Sequence, residues 1–133
     1  ILQSINSRFI LGINHVKKIL AVSLYAKKNH SLLSKKIETD ILLRFAITTQ
    51  ISSAIDVVGQ KPNKDFLIIA IGKKSTLNRI QSDLKPYLNA KPLSKNNQPY
   101  LKRHFRISYK QLSAIYSKNP LEDLLVEKAT ILL

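Results

Sequence analysis

Residues 39–60 read TDILLRFAITTQISSAIDVVGQ, and the way this stretch folds decides the architecture around it. Between Ile41 and Ile47 every residue is apolar except Arg44. At 3.6 residues per turn the apolar side chains go almost all the way round, leaving a narrow polar stripe of Asp40 and Arg44. A helix of that pattern, starting at Ile37 or Glu38, is mostly buried. Asp40 and Arg44 stand four apart in the order that forms a helical ion pair. The arginine therefore reads first as a structural partner of Asp40, with contact to RNA or a protein partner as the alternative. Thr48 and Thr49 offer a break and a new N-cap, after which Ile51, Ala54, Ile55 and Val58 share one face of a short helix. Gly59 is placed to end it as a left-handed cap.

Upstream, Leu2–Leu11 carries apolar residues at mixed spacing and has room for a strand. From Asn14, a good N-cap, Val16, Ile19, Leu20 and Leu24 fall on one helical face, and that helix ends near Lys28. Asn29–Lys36 reads as a loop. Downstream of Pro62 and Asn63, Phe66–Ile71 is the clearest strand. It is apolar on both faces and stopped by Gly72, which predicts a place at the centre of a sheet covered by helices. Ser75 or Thr76 is expected to cap a helix aligning Leu77, Ile80, Leu84 and Leu88, with Pro86 kinking or ending it. Ala90–Pro99 is polar and reads as a short strand or a loop. Arg106–Ser108 separates two short helices, and Asn119–Pro120–Leu121–Glu122 is a good helix start. Thr130–Leu133 fits a final strand or a partner's groove. Residues 1–133 are thus expected to form one α+β domain, a small, mainly antiparallel sheet packed by several helices.

Composition narrows the function classes. Apolar residues make up 44% and charged ones 23%, ordinary for a soluble domain. No cysteine is present, so disulfides, thiolate zinc sites and cysteine nucleophiles are excluded, and a cytoplasmic location is favoured. The longest apolar run, Phe66–Ile71, falls far short of the roughly 20 residues of a membrane span, so no membrane partner is expected. No secretory signal is visible, and the lack of any methionine suggests a trimmed product. Charge is the strongest signal: 22 Lys plus Arg against 8 Asp plus Glu, formally +14. Such an excess repels itself, and a polyanion such as nucleic acid is the usual reason to keep it.

No catalytic constellation emerges. With three Gly and no Gly-rich run, a phosphate loop or dinucleotide fingerprint is excluded, and Gly72–Lys74 followed by Ser75 and Thr76 lacks the required spacing. His15, His30 and His104 are neither paired at helical spacing nor near a carboxylate in sequence, and His15 beside Lys17 and Lys18 reads as a surface residue. Glu38 and Asp40, two apart, share no helix face. Glu122, Asp123 and Glu127 read as charges flanking a helix start. No metal site and no cofactor is expected. What recurs is a series of lysine doublets, Lys17–Lys18, Lys27–Lys28, Lys35–Lys36 and Lys73–Lys74, joined by Lys102, Arg103, His104 and Arg106. They are candidate RNA contacts at helix ends and loops, against the alternative of a scattered solvated surface. Tyr100, Phe105, Tyr109 and Tyr116 are candidate stacking partners.

The order of these pieces resembles a known family, the small accessory subunit of the KEOPS complex related to the PRPK-binding protein. The resemblance is carried by DILLRFAITTQISSAIDVVG at 40–59, DFLIIAIG at 65–72 and LEDLLVEKATILL at 121–133, and more loosely by QSINSRFILGINHVKKILAVSLYA at 3–26. Ile47 stands where many members have glycine, Asp40 where glutamate is usual, and the family's first strand is partly missing. The resemblance implies a non-catalytic subunit that binds a kinase-like ATPase and supports threonylcarbamoyl modification of the adenosine beside the tRNA anticodon. It further implies, from archaeal members, recruitment of tRNA through its single-stranded CCA end. For the kinase contact, the apolar C-terminal segment is the candidate: Leu121, Leu124, Leu125, Ile131, Leu132 and Leu133. The rivals are a stand-alone basic RNA-binding module and an RNA-processing enzyme using the histidines as acid and base.

Overall fold

The computed structural model describes residues 1–89, 93 and 95–132. Along the chain, β1 (Leu2–Asn6) is followed by α1 (Ile13–Lys28), α2 (Ile37–Ala46) and α3 (Ile51–Val58). Then come β2 (Phe66–Ala70), α4 (Lys74–Leu84), α5 (Gln98–His104), α6 (Tyr109–Ser113) and α7 (Pro120–Thr130). This is the α+β arrangement expected, an antiparallel pair of strands packed by helices.

The all-round apolarity of α2 sets the rest. Ile41, Leu43 and Phe45 are fully buried, and α1, α3, α7 and β1 all pack against this one helix. Each such side chain is worth about 1.5–3 kcal/mol of burial, so a helix apolar on every side recruits neighbours on every side. Against it, α1 buries His15, Val16, Ile19, Ser23 and Ala26. That stripe is rotated from the expected one, and Leu24 is left 40% exposed. The reason is that α1 is clasped by both α2 and α7, and the small Ser23 and Ala26 permit that close approach.

The break after α2 falls where the two threonines predict it, but its chemistry differs. Ile47 closes the helix in the left-handed region, φ 53° and ψ 53°, and Thr48 N–H donates to Leu43 O at 3.2 Å. A β-branched residue there carries a strain of about 1–2 kcal/mol. Thr48 Oγ1 accepts from Gln50 N–H at 3.2 Å, and α3 then starts from Gln50, its axis turned 70° from that of α2. Gly59 is no left-handed cap, because its φ is −62°. Glycine is needed there for space: a Cβ would lie 2.4 Å from the Ile55 carbonyl oxygen. No single helix among the described residues is long and apolar enough to cross a membrane.

The sheet corrects a second expectation. β1 and β2 pair antiparallel from Leu2 with Ala70 to Asn6 with Phe66, and β2 has no other strand partner among the described residues. Instead of a central strand covered on both sides, β2 buries Ile69, packs Leu67 on the core, and leaves Phe66 41% exposed. α4 begins at Lys74 without a side-chain cap, so neither Ser75 nor Thr76 takes that part, and the helix gives way to a 3-10 turn, Lys85–Tyr87, at Pro86. No residue of α4 is fully buried, and Leu88, expected in its apolar line, lies exposed beyond that turn.

At the other end, Asn119 and Pro120 start α7 as expected. The anticipated final strand does not form among the described residues: α7 runs on to Thr130, with Ile131 as its cap. Of the Ala90–Pro99 segment, Gln98 and Pro99 already belong to α5, while Ala90–Pro92 and Ser94 lie outside the described residues.

Candidate functional site

The arginine inside the apolar run is a structural bolt. Asp40 and Arg44 are 0% and 4% exposed. Arg44 Nε donates to Asp40 Oδ2 at 2.8 Å and Nη2 to Oδ1 at 3.2 Å, while Nη1 reaches the Ala129 carbonyl at 2.8 Å. Asp40 Oδ1 also accepts Leu33 N–H at 2.8 Å. The pair thus joins α2 to the C-terminal end of α7, where a cation also suits the helix dipole, and to the loop after α1.

Two of the three histidines pack into the fold, whereas His30 stands exposed. His15 is buried, contrary to the surface position its neighbours Lys17 and Lys18 suggest, because it begins the inward face of α1. Its Nδ1 accepts Leu11 N–H at 3.1 Å, its ring meets Phe45 edge-on, and burial, aided by the Lys18 charge, pushes its pKa down to about 4. His104 packs edge-on to Phe9 and stacks with Tyr100 at 6.0 Å, and burial lowers its pKa too. Among the described residues no group of three His, Cys, Asp or Glu side chains could hold a metal ion.

The eight doublet lysines are all exposed, and they are spread over three places: α1 (Lys17, Lys18, Lys27, Lys28), the residues before α2 (Lys35, Lys36), and the start of α4 (Lys73, Lys74). Lys18 is already engaged. Its Nζ donates to Glu122 Oε2 at 2.7 Å and Asp123 Oδ1 at 3.0 Å, tying α1 to the first turn of α7. These bonds, that to Glu122 foremost, raise the Lys18 pKa, while Asp123 is lowered by a hydrogen bond from Ser117 and by Lys18. Glu122 is thus a buried ion-pair member and no mere flanking charge.

The fold also assembles a cluster that no doublet announces. Arg8, Lys64, Lys95 and Arg103 line one cavity of about 520 Å³ together with Tyr100 and a single acid, Asp65. The Arg8 guanidinium sits 4.6 Å from the centre of the Tyr100 ring, a cation–π contact. Asp65 has only a loose bond to Lys95, at 3.5 Å. Arg103 and Tyr100 are among the sequence candidates. Arg8, Lys64 and Lys95 were missed, because each is a lone cation in its own stretch and only long-range packing unites them. The other stacking candidates divide: Phe105 leans on the core, whereas Tyr109 and Tyr116 stand fully in solvent.

Among known families, the one described as kinase binding protein CGI-121 matches residues 2–131. The chain belongs to this family. No curated protein matches it. Exposed apolar side chains are the kind of surface that a protein partner covers. Of the six C-terminal candidates, Leu121 and Leu125 are core residues on the buried face of α7 and unavailable to a partner. Leu124 and Leu132 are half-buried, Ile131 is exposed, and Leu133 lies outside the described residues. Further apolar groups on other elements are open, Ile13 and Tyr25 on α1 and Ile51 and Ile55 on α3. Sequence reasoning put Ile51 and Ile55 on one face with Ala54 and Val58, but only the latter two are buried, because period alone does not say how wide a face is covered.

Proposed function

We propose that this kinase-binding protein is a non-catalytic subunit of the KEOPS complex in the cytoplasm, gripping a kinase-like ATPase and recruiting tRNA for threonylcarbamoyl modification. Membership of the kinase-binding family supports the first half. One observation carries the second: of the 22 Lys and Arg, only Lys18, Arg44 and Lys95 have an acidic partner among the described residues. The other cations supply an electrostatic, largely sequence-independent attraction for phosphate, while unpaired bases are held by stacking.

The test is tRNA binding with and without the terminal CCA across a salt series. If about five phosphates of a single-stranded end are neutralised, log K falls with log salt at a slope of roughly −3.5. Removal of the CCA is expected to weaken binding, and an affinity indifferent to both salt and the CCA would sink the reading. For the ATPase, deletion of residues 131–133 is expected to weaken co-purification, and unchanged recovery would remove the tail from the contact.

A further inference from the structure

The chain carries no Asp or Glu before Glu38, so α1 and the loop after it hold cations with no acid of their own. Four of those cations meet where the chain turns from α1 into α2. α1 closes with the bonds of a Schellman turn: His30 N–H donates to Lys27 O at 3.3 Å and Ser31 N–H to Ala26 O at 2.8 Å, with His30 left-handed at φ 56°. Two residues on, Leu33 N–H donates to Asp40 Oδ1 at 2.8 Å, and Ser34 Oγ donates to Lys36 O at 2.7 Å. At most about 7 Å of chain separates Ser31 from Leu33, so the last turn of α1 and the first turn of α2 are held at one corner. Lys27 and Lys28 come to it from the helix, Lys35 and Lys36 from the loop, and all four are exposed.

None of the four has an acidic partner among the described residues. Of the two acids that follow them, Asp40 is neutralised by Arg44, and only the half-buried Glu38 remains. α2 opens beside them without a side-chain cap, and the N–H groups of its first turn add to the positive field. Holding four lysines together costs mutual repulsion, which a polyanion cancels. What the corner lacks decides the kind of polyanion. It has no arginine to fork around a single phosphate, and none of its lysines lines the basic cavity. Tyr25 is the only Phe, Tyr or Trp from Ile13 to Lys36, too few rings to stack a single strand. An A-form duplex presents phosphates on its outside and keeps its base edges largely out of reach, so point charges on an open corner suffice to hold it.

We propose that this corner is a docking surface for double-stranded RNA, contacting its phosphate backbone through Lys27, Lys28, Lys35 and Lys36 without reading sequence. The corner is at the C-terminal end of α1, about 22 Å from Ile13, whereas the segment lining the basic cavity, Asn6–Arg8, leads into the N-terminal end. The proposal rests on the tRNA reading only for which RNA supplies the duplex, and the charge arrangement stands without it.

The experiment is fluorescence anisotropy of the full chain with a labelled, blunt-ended RNA duplex of about 16 base pairs across a salt series. Polyglutamate and tRNA with and without its terminal CCA serve as competitors. Wild type is compared with the quadruple variant Lys27→Ala/Lys28→Ala/Lys35→Ala/Lys36→Ala. The control is Lys73→Ala/Lys74→Ala/Lys110→Ala/Lys118→Ala, which removes equal charge from exposed positions elsewhere. Circular dichroism checks the fold of each, and Lys35→Ala/Lys36→Ala, which leaves α1 untouched, serves as a milder corner variant. The quadruple corner variant is expected to lose about tenfold or more in duplex affinity, with a slope of log K against log salt shallower by about 3. The milder variant shows about half that change in slope, at roughly 0.9 per phosphate contact. The control loses no more than a few-fold and keeps its slope. Equal losses in the two quadruple variants would overturn the proposal, since bulk charge would then account for binding. Polyglutamate competing as well as tRNA would also overturn it, giving the corner to an acidic protein face. A corner variant that keeps CCA-dependent tRNA binding at wild-type strength removes the corner and leaves the tRNA reading. Binding of tRNA that ignores the CCA yet falls in the corner variant removes recruitment through the CCA end and leaves the corner.

Discussion

The two halves of this molecule start from similar sequence and end in different environments. Ile41–Ile47 and Phe66–Ile71 are both short runs, the second wholly apolar and the first apolar but for Arg44. The first becomes the most enclosed helix of the fold, ringed by α1, α3, α7 and β1. The second becomes one of two paired strands, and its outer face looks onto α4, a helix with no fully buried residue. What separates them is the supply of neighbours. Apolarity states that a segment wants covering, and only the rest of the chain decides whether covering is delivered.

If the helical half is as tightly bolted as its geometry indicates, the largest effect belongs to Arg44. Arg44→Ala leaves Asp40 buried and unpaired and should cost about 3–5 kcal/mol in urea unfolding, whereas the apolar pair Asp40→Leu/Arg44→Leu should lose much less. Equal losses would mean that the charges themselves hold α2 to α7. The contrast between halves is sharpened by matched truncations. Leu43→Ala in the core should cost about 2–5 kcal/mol, and Leu84→Ala beside the open strand face under about 1 kcal/mol, so comparable costs would show that the second half is also covered in solution.

Acid should also attack the helical half. The folded-state pKa of His15, about 4, lies below its ordinary 6.5, so the unfolded chain takes up the proton first. Its contribution is complete above pH 6.5 and drains away as pH falls toward 4, by roughly 3 kcal/mol at about 1.4 kcal/mol per pH unit. A stability curve flat between those values, or one whose slope survives in His15→Gln, would contradict the buried neutral imidazole. The smallest effect concerns Ile47. At φ 53° a glycine escapes the Cβ strain that an alanine keeps, so Ile47→Gly should be more stable than Ile47→Ala by about 1 kcal/mol in the same assay.

What the sequence makes legible is whatever lies within a few turns of itself. The Asp40–Arg44 pair, the break at Thr48–Gln50 and the start at Asn119–Pro120 are local, and each is found where the pattern puts it. The reach of Arg44 to Ala129 is not local, and neither is the union of Arg8 with Lys64, Lys95 and Arg103. No periodicity encodes contacts across 58 or 90 positions, such as Ser7 with Asp65 or Asn97 with Ser7. His15 misled for a related reason, since which side of α1 is covered depends on the distant elements α2 and α7, so a buried histidine stands beside the exposed Lys17 and Lys18. Gly59 misled differently: glycine signals either unusual torsion or missing room, and one letter cannot say which.

The bond from Arg44 to the Ala129 carbonyl moors the last turn of α7 from within, two residues before the exposed Ile131. The exposed apolar end of α7 is therefore held at a fixed height by a buried charge. An interior substitution that frees this mooring would let the end of α7 fray and dull any grip formed there, without one surface atom being changed. A lost partner in an Arg44 variant would then report a slackened anchor and not a severed contact.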